Sequence, residues 1–117
     1  MNAVEILRTA KDKISSPEHW SQGGYAVDSE GRSVTPDSQE AVSWCALGAI
    51  RAVYLTGLKD VDLYCRVGEI LTTTVLRCSK GKLASAAKYN DSPARKHEDI
   101  LHMFDVAIEL AGEQESG

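Results

Sequence analysis

The sequence predicts a mainly α protein. We expect a small single-domain helical bundle of about four main helices around a central apolar helix, with a short β-hairpin or loop excursion near residues 23–35. Three observations lead to this fold. The 117 residues are 43% apolar, enough for one core. Apolar residues recur at helical spacing in several segments, and this periodicity breaks between residues 21 and 36 around paired glycines.

The first helix is predicted from its cap and its ending. Asn2 precedes Glu5 by three residues, which is the spacing of a capping box. We expect the helix to end near Ser15–Ser16, because Pro17 disfavours helical geometry in the residue before it. Pro17 can itself open a single helical turn that leads to Trp20.

Residues 23–35 are predicted to leave the bundle as a short hairpin or an ordered loop. Gly23–Gly24 begin this segment, a turn follows at Asp28–Gly31, and Pro36 ends it. Since an isolated two-stranded hairpin is marginal in water, we expect it to pack over the helices.

The central helix is predicted over residues 38–56. Asp37 is its expected N-cap, with Glu40 three residues later, and Gly57 ends it. All but three residues between 41 and 55 are apolar. A helix that is apolar on nearly every side belongs in the middle of a bundle.

The second half of the chain is predicted to form two long helices and a short one. Asp60 caps a third helix that ends near Cys78, and a short helix is expected over 83–88. Ser92, followed by Pro93, caps the last helix.

The helices are expected to form a single domain. This domain covers residues 1–112, and residues 113–117 are expected to be a flexible tail.

Composition argues against several classes of protein. No apolar run approaches the ~18 residues that cross a bilayer, and the N-terminus has no signal-peptide pattern. We therefore expect a cytoplasmic bacterial or phage protein without membrane contact. The three cysteines are an odd number without C-x-x-C spacing, which favours reduced thiols. His97 and His102 are five residues apart and fall on different helix faces, so no metal site is expected. No cofactor is expected either.

Charge is distributed unevenly along the chain. The net charge of −4 argues against nucleic acid as a partner. Residues 77–97 nevertheless have a net charge of +5, against −9 for the rest of the chain. Lys82, Lys88 and Arg95 of this strip are candidates for an anion-binding or partner surface. The alternative is that the strip is simply a solvated surface.

Cys45, His97 and Asp91 have the composition of a catalytic triad with a thiol nucleophile. Cys45 would attack, His97 would act as the base, and Asp91 or Asn90 would orient the imidazole. In the predicted helix Cys45 lies about two turns from the N-terminus, among apolar neighbours that raise the pKa of a thiol and leave it inert. A helix that begins later, with Ser43 as its cap, would reverse this conclusion.

Polar and aromatic residues on both sides of the central helix are candidates for a ligand site. The ligand-binding candidates are Trp20, Gln22, Asn90, Asp91 and His97. Tyr25 and Trp44 are neighbouring aromatics, and such residues beside an amide and two glycines can line a pocket for a flat polar ligand. His97 is expected to be largely buried, with Asn90 and Asp91 as hydrogen-bond partners. The alternative is a structural histidine that ties the 89–93 loop to the bundle.

These motifs resemble those of a known family. The chain is similar over most of its length to DUF6197, a family of small bacterial and phage proteins. The matching motifs are Trp-x-Gln-Gly at 20–23, Ala-x-Asp-x-x-Gly-Arg at 26–32, Trp-Cys-Ala-Leu-Gly-Ala-Ile at 44–50, an aromatic-Asn-Asp at 89–91 and a helix with His97. Tyr89 departs from the tryptophan that is more common at this position, which implies a smaller or more polar pocket wall. The resemblance implies a shared fold and site, but no activity.

We therefore expect a bacterial or phage accessory protein that is a non-catalytic binding or interaction module. Its polar site would lie near Trp20/Gln22 and Asn90/Asp91/His97, and its partner would be a small polar ligand or another protein. The alternative is a cysteine-dependent hydrolase or transferase that uses Cys45, His97 and Asp91.

Overall fold

Residues 1–116, which the computed structural model describes (the side chains of Leu58 and Ser116 excepted), form five α-helices and one two-stranded antiparallel sheet. The helices are α1 (Ala3–Lys13), α2 (Ala46–Val53), α3 (Val61–Cys78), α4 (Ala86–Asp91) and α5 (His97–Ser116). The strands are β1 (Ala26–Val27) and β2 (Ser43–Trp44). A 3-10 turn, Pro17–His19, follows α1, and a π-helical turn, Tyr54–Leu58, extends α2. The predicted mainly helical fold is confirmed.

The start of α1 has the predicted capping box. The Asn2 side chain accepts a hydrogen bond from the Glu5 amide at 2.9 Å, and the Glu5 carboxylate accepts one from the Asn2 amide at 3.2 Å. The helix ends at Lys13, and Pro17 opens a single 3-10 turn as its fixed geometry predicts. Trp20 follows this turn directly and forms a parallel bridge with Trp44 of β2.

The predicted excursion is present, but its pairing differs from the prediction. Val27 and Ser33 form one antiparallel bridge across a turn. The regular sheet instead pairs β1 with β2, in the register Ala26 to Trp44 and Val27 to Ser43. The second strand therefore comes from the segment that was predicted to begin the central helix.

The turn after β1 is organised by the buried carboxylate of Asp28. This carboxylate accepts hydrogen bonds from the Glu30 and Arg32 amides, each at 2.9 Å, and from Arg32 Nε at 3.1 Å. These bonds favour the ionised form, so the pKa of Asp28 is lowered, chiefly by the Arg32 amide.

The central helix begins later than predicted. Asp37 does not cap it, because backbone groups after that residue are used by the sheet: the Val42 amide donates to Val27 and the Cys45 amide to Tyr25. Helix α2 starts at Ala46, and Cys45 is its N-cap. At the other end, Gly57 does not end the helix but lies within the π-helical turn. That turn ends at its C-cap Lys59, which has a left-handed φ of 48°.

Of the later helices, α3 starts as predicted, whereas α4 and α5 start later than predicted. Asp60 caps α3 as predicted, by accepting from the Leu63 amide at 3.1 Å. The short helix α4 runs on to Asp91, so the predicted 89–93 loop is partly the last turn of a helix. Ser92 does not cap α5. It ends α4 in an extended conformation, and α5 begins only at His97.

The C-terminal residues continue the last helix. Helix α5 extends through Ser116. Residues 113–116, which we expected in a flexible tail, are therefore helical, and Gly117 of that predicted tail lies outside the described residues.

The core is built mainly from α1, α2, α3 and α5. Helix α2 buries six of its eight residues, and α1 packs against α2, α3 and α5. The largest fully buried side chains include Phe104, Ile6, Leu7, Ile50 and Leu71. Within residues 1–116, no helix has the length and apolar character needed to cross a bilayer.

Candidate functional site

The side chain of Asn90 joins three segments of the chain. It is fully buried, at 0% exposure, at the end of α4. Its Oδ1 accepts from the indole nitrogen of Trp20 at 2.8 Å and from the Ala46 amide at 3.0 Å. Its Nδ2 donates to the Ser21 carbonyl at 3.1 Å and to Asp91 Oδ1 at 2.9 Å. All four hydrogen-bonding positions of the amide are therefore used within the protein.

Gln22 and Asp91 extend this network to the surface. Gln22 Nε2 donates to the backbone carbonyls of Asn90 and Ser92, at 2.9 and 3.1 Å. Asp91 Oδ1 also accepts from the Gly23 amide at 2.9 Å. The structure thus brings together four of the predicted ligand-binding residues, which we call the Asn90 cluster: Trp20, Gln22, Asn90 and Asp91.

His97 lies beside the Asn90 cluster but has different partners from those predicted. It is half-buried rather than largely buried, because it begins α5 instead of lying inside that helix. Its Nε2 bonds to the Ile14 carbonyl at 2.5 Å and its ring packs on that of Trp20, with centroids 5.8 Å apart. Since a carbonyl only accepts, Nε2 holds the proton. His97 therefore ties α5 to the end of α1.

Cys45 is the N-cap of α2, yet its environment does not activate the thiol. Its Sγ accepts from the Gly48 amide at 3.3 Å, and the residue is only 3% exposed. Burial raises the pKa of Cys45, the Gly48 amide opposes this effect, and the charge of Asp91 adds to the increase. The late start of α2 therefore does not reverse the expectation of an inert thiol, because desolvation outweighs the helix terminus.

Among the described residues, Cys45, His97 and Asp91 make no contact with one another that would activate the thiol. His97 Nε2 is bonded to Ile14, and the thiol accepts from a backbone amide. Asp91 is near Cys45, but its Oδ1 accepts hydrogen bonds from the Gly23 amide and from Asn90 Nδ2. The described contacts therefore contain no base aimed at the thiol.

A small surface pocket lies next to the Asn90 cluster, and we call it the Asp91 pocket. It has a volume of about 230 Å³. Its walls come from the loop before β1, the start of α2 and the last turns of α4. The lining residues are Gly23, Gly24, Tyr25, Cys45, Ala87 and Asp91.

The sequence did not reveal how closely α2 approaches Tyr25, a residue of the pocket wall just before β1. A Cβ on Gly48 would lie 1.8 Å from the Tyr25 carbonyl oxygen, so the two backbones can pass only because this residue is glycine. A lone glycine in an otherwise apolar helix is the signal that could have indicated this approach. Ala87 of the pocket wall has no such signal in the sequence.

The predicted basic surface is only partly brought together. Lys82 and Arg95 line one pocket, together with Lys80, which the sequence analysis did not single out. Lys88 is exposed on α4 and does not line it. In the described part of the chain, no three His, Cys, Asp or Glu side chains are grouped so that they could hold a metal ion.

The fold and the site define a small, mainly helical protein in which a buried asparagine connects the N-terminal segment, the central helix and α4. The model of the family described as "Family of unknown function (DUF6197)" matches residues 1–110. The chain therefore belongs to this family, as its motifs indicated. Searches of curated proteins and of solved structures gave no match.

Proposed function

We propose that this protein is a non-catalytic binding module whose Asp91 pocket takes a small ligand with an ammonium or guanidinium group. The position of the Asp91 carboxylate is the observation that supports this proposal. Oδ1 is held by the Gly23 amide and Asn90 Nδ2, while Oδ2 has no hydrogen-bond partner among the described residues. An exposed carboxylate fixed in this way can accept a charge-assisted hydrogen bond without reorganising.

The electrostatics of the pocket favour a cation. Asp91 is the only lining residue in the described structure that is charged at neutral pH, because the raised pKa of Cys45 keeps its thiol protonated. The Tyr25 ring lines one wall and already carries the Arg51 guanidinium, 4.0 Å from its centroid, so the preference for a cation rests on Asp91. Gly23–Gly24 allow a ligand to approach the backbone closely. The volume of about 230 Å³ lies below the ~300–1,000 Å³ typical of drug-sized sites, so the ligand is small.

The other predicted ligand-binding residues support the pocket in this proposal. The Trp20 indole donates a hydrogen bond to the Asn90 side chain, which also accepts one from the backbone of α2. Gln22 donates to the Asn90 carbonyl at the end of α4. His97 packs behind Trp20. These residues would fix Asp91 and Gly23 in place, and a protein that presents a lysine or arginine side chain would use the same pocket.

The free cysteines support a reducing location such as a bacterial cytoplasm for this accessory role. The alternative of a cysteine-dependent hydrolase or transferase is less well supported. It needs an accessible thiolate, whereas Cys45 is buried and its pKa is raised.

The test is a titration with methylammonium, ethanolamine and arginine methyl ester, followed by NMR of the backbone amides. We expect the Gly23 and Gly24 signals to shift with saturation. In Asp91→Asn the affinity should fall at least about tenfold, since the amide keeps the Gly23 bond but removes the charge. Glu69→Gln removes an exposed carboxylate from α3 and should leave the affinity within about twofold.

Two results would contradict this proposal. The first is that none of the three probes shifts Gly23 or Gly24. The second is an equal loss of affinity in Glu69→Gln and Asp91→Asn, which would mean that the cations respond only to the overall negative charge.

A further inference from the structure

A second pocket lies between the α3–α4 connection and the turn before α5. It has a volume of about 430 Å³, and its charged lining residues are Lys80, Lys82 and Arg95. Among the described residues, no carboxylate lines it. We call it the basic pocket. It shares no lining residue with the Asp91 pocket.

Arg95 is held in one orientation at this pocket. Its guanidinium lies 4.7 Å from the centre of the Tyr89 ring, and Nη1 donates to the Tyr89 hydroxyl at 3.1 Å. Tyr89 is only 3% exposed, so the support under the guanidinium is part of the core. Arg95 Nε is buried and has no hydrogen-bond partner within the described residues. This nitrogen is closed to solvent, so a ligand in the pocket would meet the other guanidinium donors of Arg95.

The walls of the basic pocket are fixed by short hydrogen bonds. Ser79 Oγ accepts from the Leu83 amide at 2.9 Å and donates to the Leu83 carbonyl at 3.0 Å, which closes the loop that contains both lysines. On the opposite wall, the Ser92 carbonyl accepts from the Arg95 amide at 2.9 Å and from Gln22. The cations are thus attached to a backbone that is ordered before any ligand binds.

The three cations of the basic pocket are not paired with carboxylates among the described residues, where the salt bridges involve Lys11 and Arg32 instead. Three like charges around one concavity repel each other and attract an anion. Arginine supplies a planar set of donors for oxyanions, and lysine supplies mobile point charges.

We propose that the basic pocket binds the phosphate group of a small molecule. Three cations suit a doubly charged phosphate monoester better than a single carboxylate. A nucleic acid is disfavoured, because the chain outside residues 77–97 has a net charge of −9 and would repel an extended polyanion. The proposal is independent of the Asp91 pocket.

The test is calorimetric titration in phosphate-free buffer with inorganic phosphate, glycerol 3-phosphate, adenosine monophosphate and a short single-stranded DNA. We expect the phosphates to bind, with an affinity that falls as salt is added. The double variant Lys80→Gln/Lys82→Gln should lose at least about tenfold in affinity. Lys88→Gln is the matched control, since it removes a cation from the same strip outside the pocket, and its affinity should stay within about twofold.

Each other outcome overturns a defined part of the proposal. If inorganic phosphate and both esters fail to bind, the pocket is not a phosphate site. If Lys88→Gln weakens binding as much as the double variant, the anion meets a diffuse charged surface. If DNA binds more tightly than adenosine monophosphate, the partner is a nucleic acid. Near-ultraviolet circular dichroism confirms that the exposed lysine variants remain folded.

Discussion

Among single residues, the buried side-chain amide of Asn90 supplies hydrogen-bond partners, in place of water, to groups that lie far apart in sequence. Its partners Trp20, Ser21 and Ala46 lie 70, 69 and 44 residues away in sequence. The Ala46 amide is one of the N–H groups that a helix start leaves without an internal partner, so Asn90 acts as a cap supplied from another helix. Without it, buried donors on two segments would have no acceptor.

We predict that Asn90→Ala destabilises the protein by about 3 kcal/mol or more, because it leaves the Trp20 indole and the Ala46 amide unsatisfied in a dry environment. Urea unfolding followed by circular dichroism measures this change. Gln114→Ala on the exposed part of α5 is the control and should change the free energy of unfolding by less than about 0.5 kcal/mol. A loss below about 1 kcal/mol in Asn90→Ala would mean that water can replace the amide.

The candidate residues could be chosen from the sequence, but their partners could not. Trp20, Gln22, Asn90 and Asp91 were selected as polar groups near apolar segments, and they do lie together. His97 was expected to bond to Asn90 or Asp91. It bonds instead to Ile14, because the packing of α1 against α5 decides which carbonyl is in reach.

At the scale of secondary-structure elements, α2 shows how tertiary pairing overrides local signals. Asp37 and Glu40 have the spacing of a helix start, and the apolar run after them fits a buried helix. The segment nevertheless pairs Ser43–Trp44 with β1, so its backbone groups are satisfied by residues far away in sequence. Only the part from Ala46 onward remains for the helix. By contrast α1 and the start of α3, whose caps are local, were predicted correctly.

The close approach of α2 to the Tyr25 backbone gives a paired prediction on two helical glycines. Gly48→Ala should destabilise the protein by about 2 kcal/mol or more, because the new methyl group would overlap the Tyr25 carbonyl and push the two backbones apart. Gly68→Ala, in the exposed middle of α3, meets nothing within 4 Å and should stabilise by about 0.5–1 kcal/mol. Urea unfolding of both variants is the measurement. Similar effects of the two changes would contradict the assigned contact.

At the scale of the whole molecule, the fold class follows from patterns that the sequence shows directly. Apolar residues at helical spacing predict the helices of the core, and the break after Trp20 predicts the excursion. The pockets could not be predicted, because each is formed where separate segments meet. Lys80 and Lys82 are close to each other in sequence, whereas Arg95 is brought to the same pocket by the turn after α4.

The three cysteines differ in how exposed they are in the folded protein. Cys65 is exposed, Cys78 is half-buried and Cys45 is buried. In native protein we predict that alkylation, resolved by mass spectrometry, proceeds in this order. Because Cys45 is only 3% exposed, that thiol should react chiefly through opening of the structure, and the pKa raised by burial slows it further. Rapid modification of Cys45 below pH 7, lost in His97→Ala, would instead favour the hydrolase or transferase alternative.

The contacts of Asn90 also determine which parts of the protein can complete folding during its synthesis. A ribosome synthesises Trp20 and Ala46 long before Asn90, which lies 44 residues after Ala46. Until α4 has been made, the nascent chain can form local helical turns, but the start of α2 lacks its side-chain acceptor and Trp20 has no anchor. The first half of the polypeptide therefore stays incompletely folded until Asn90, in the second half, has been synthesised.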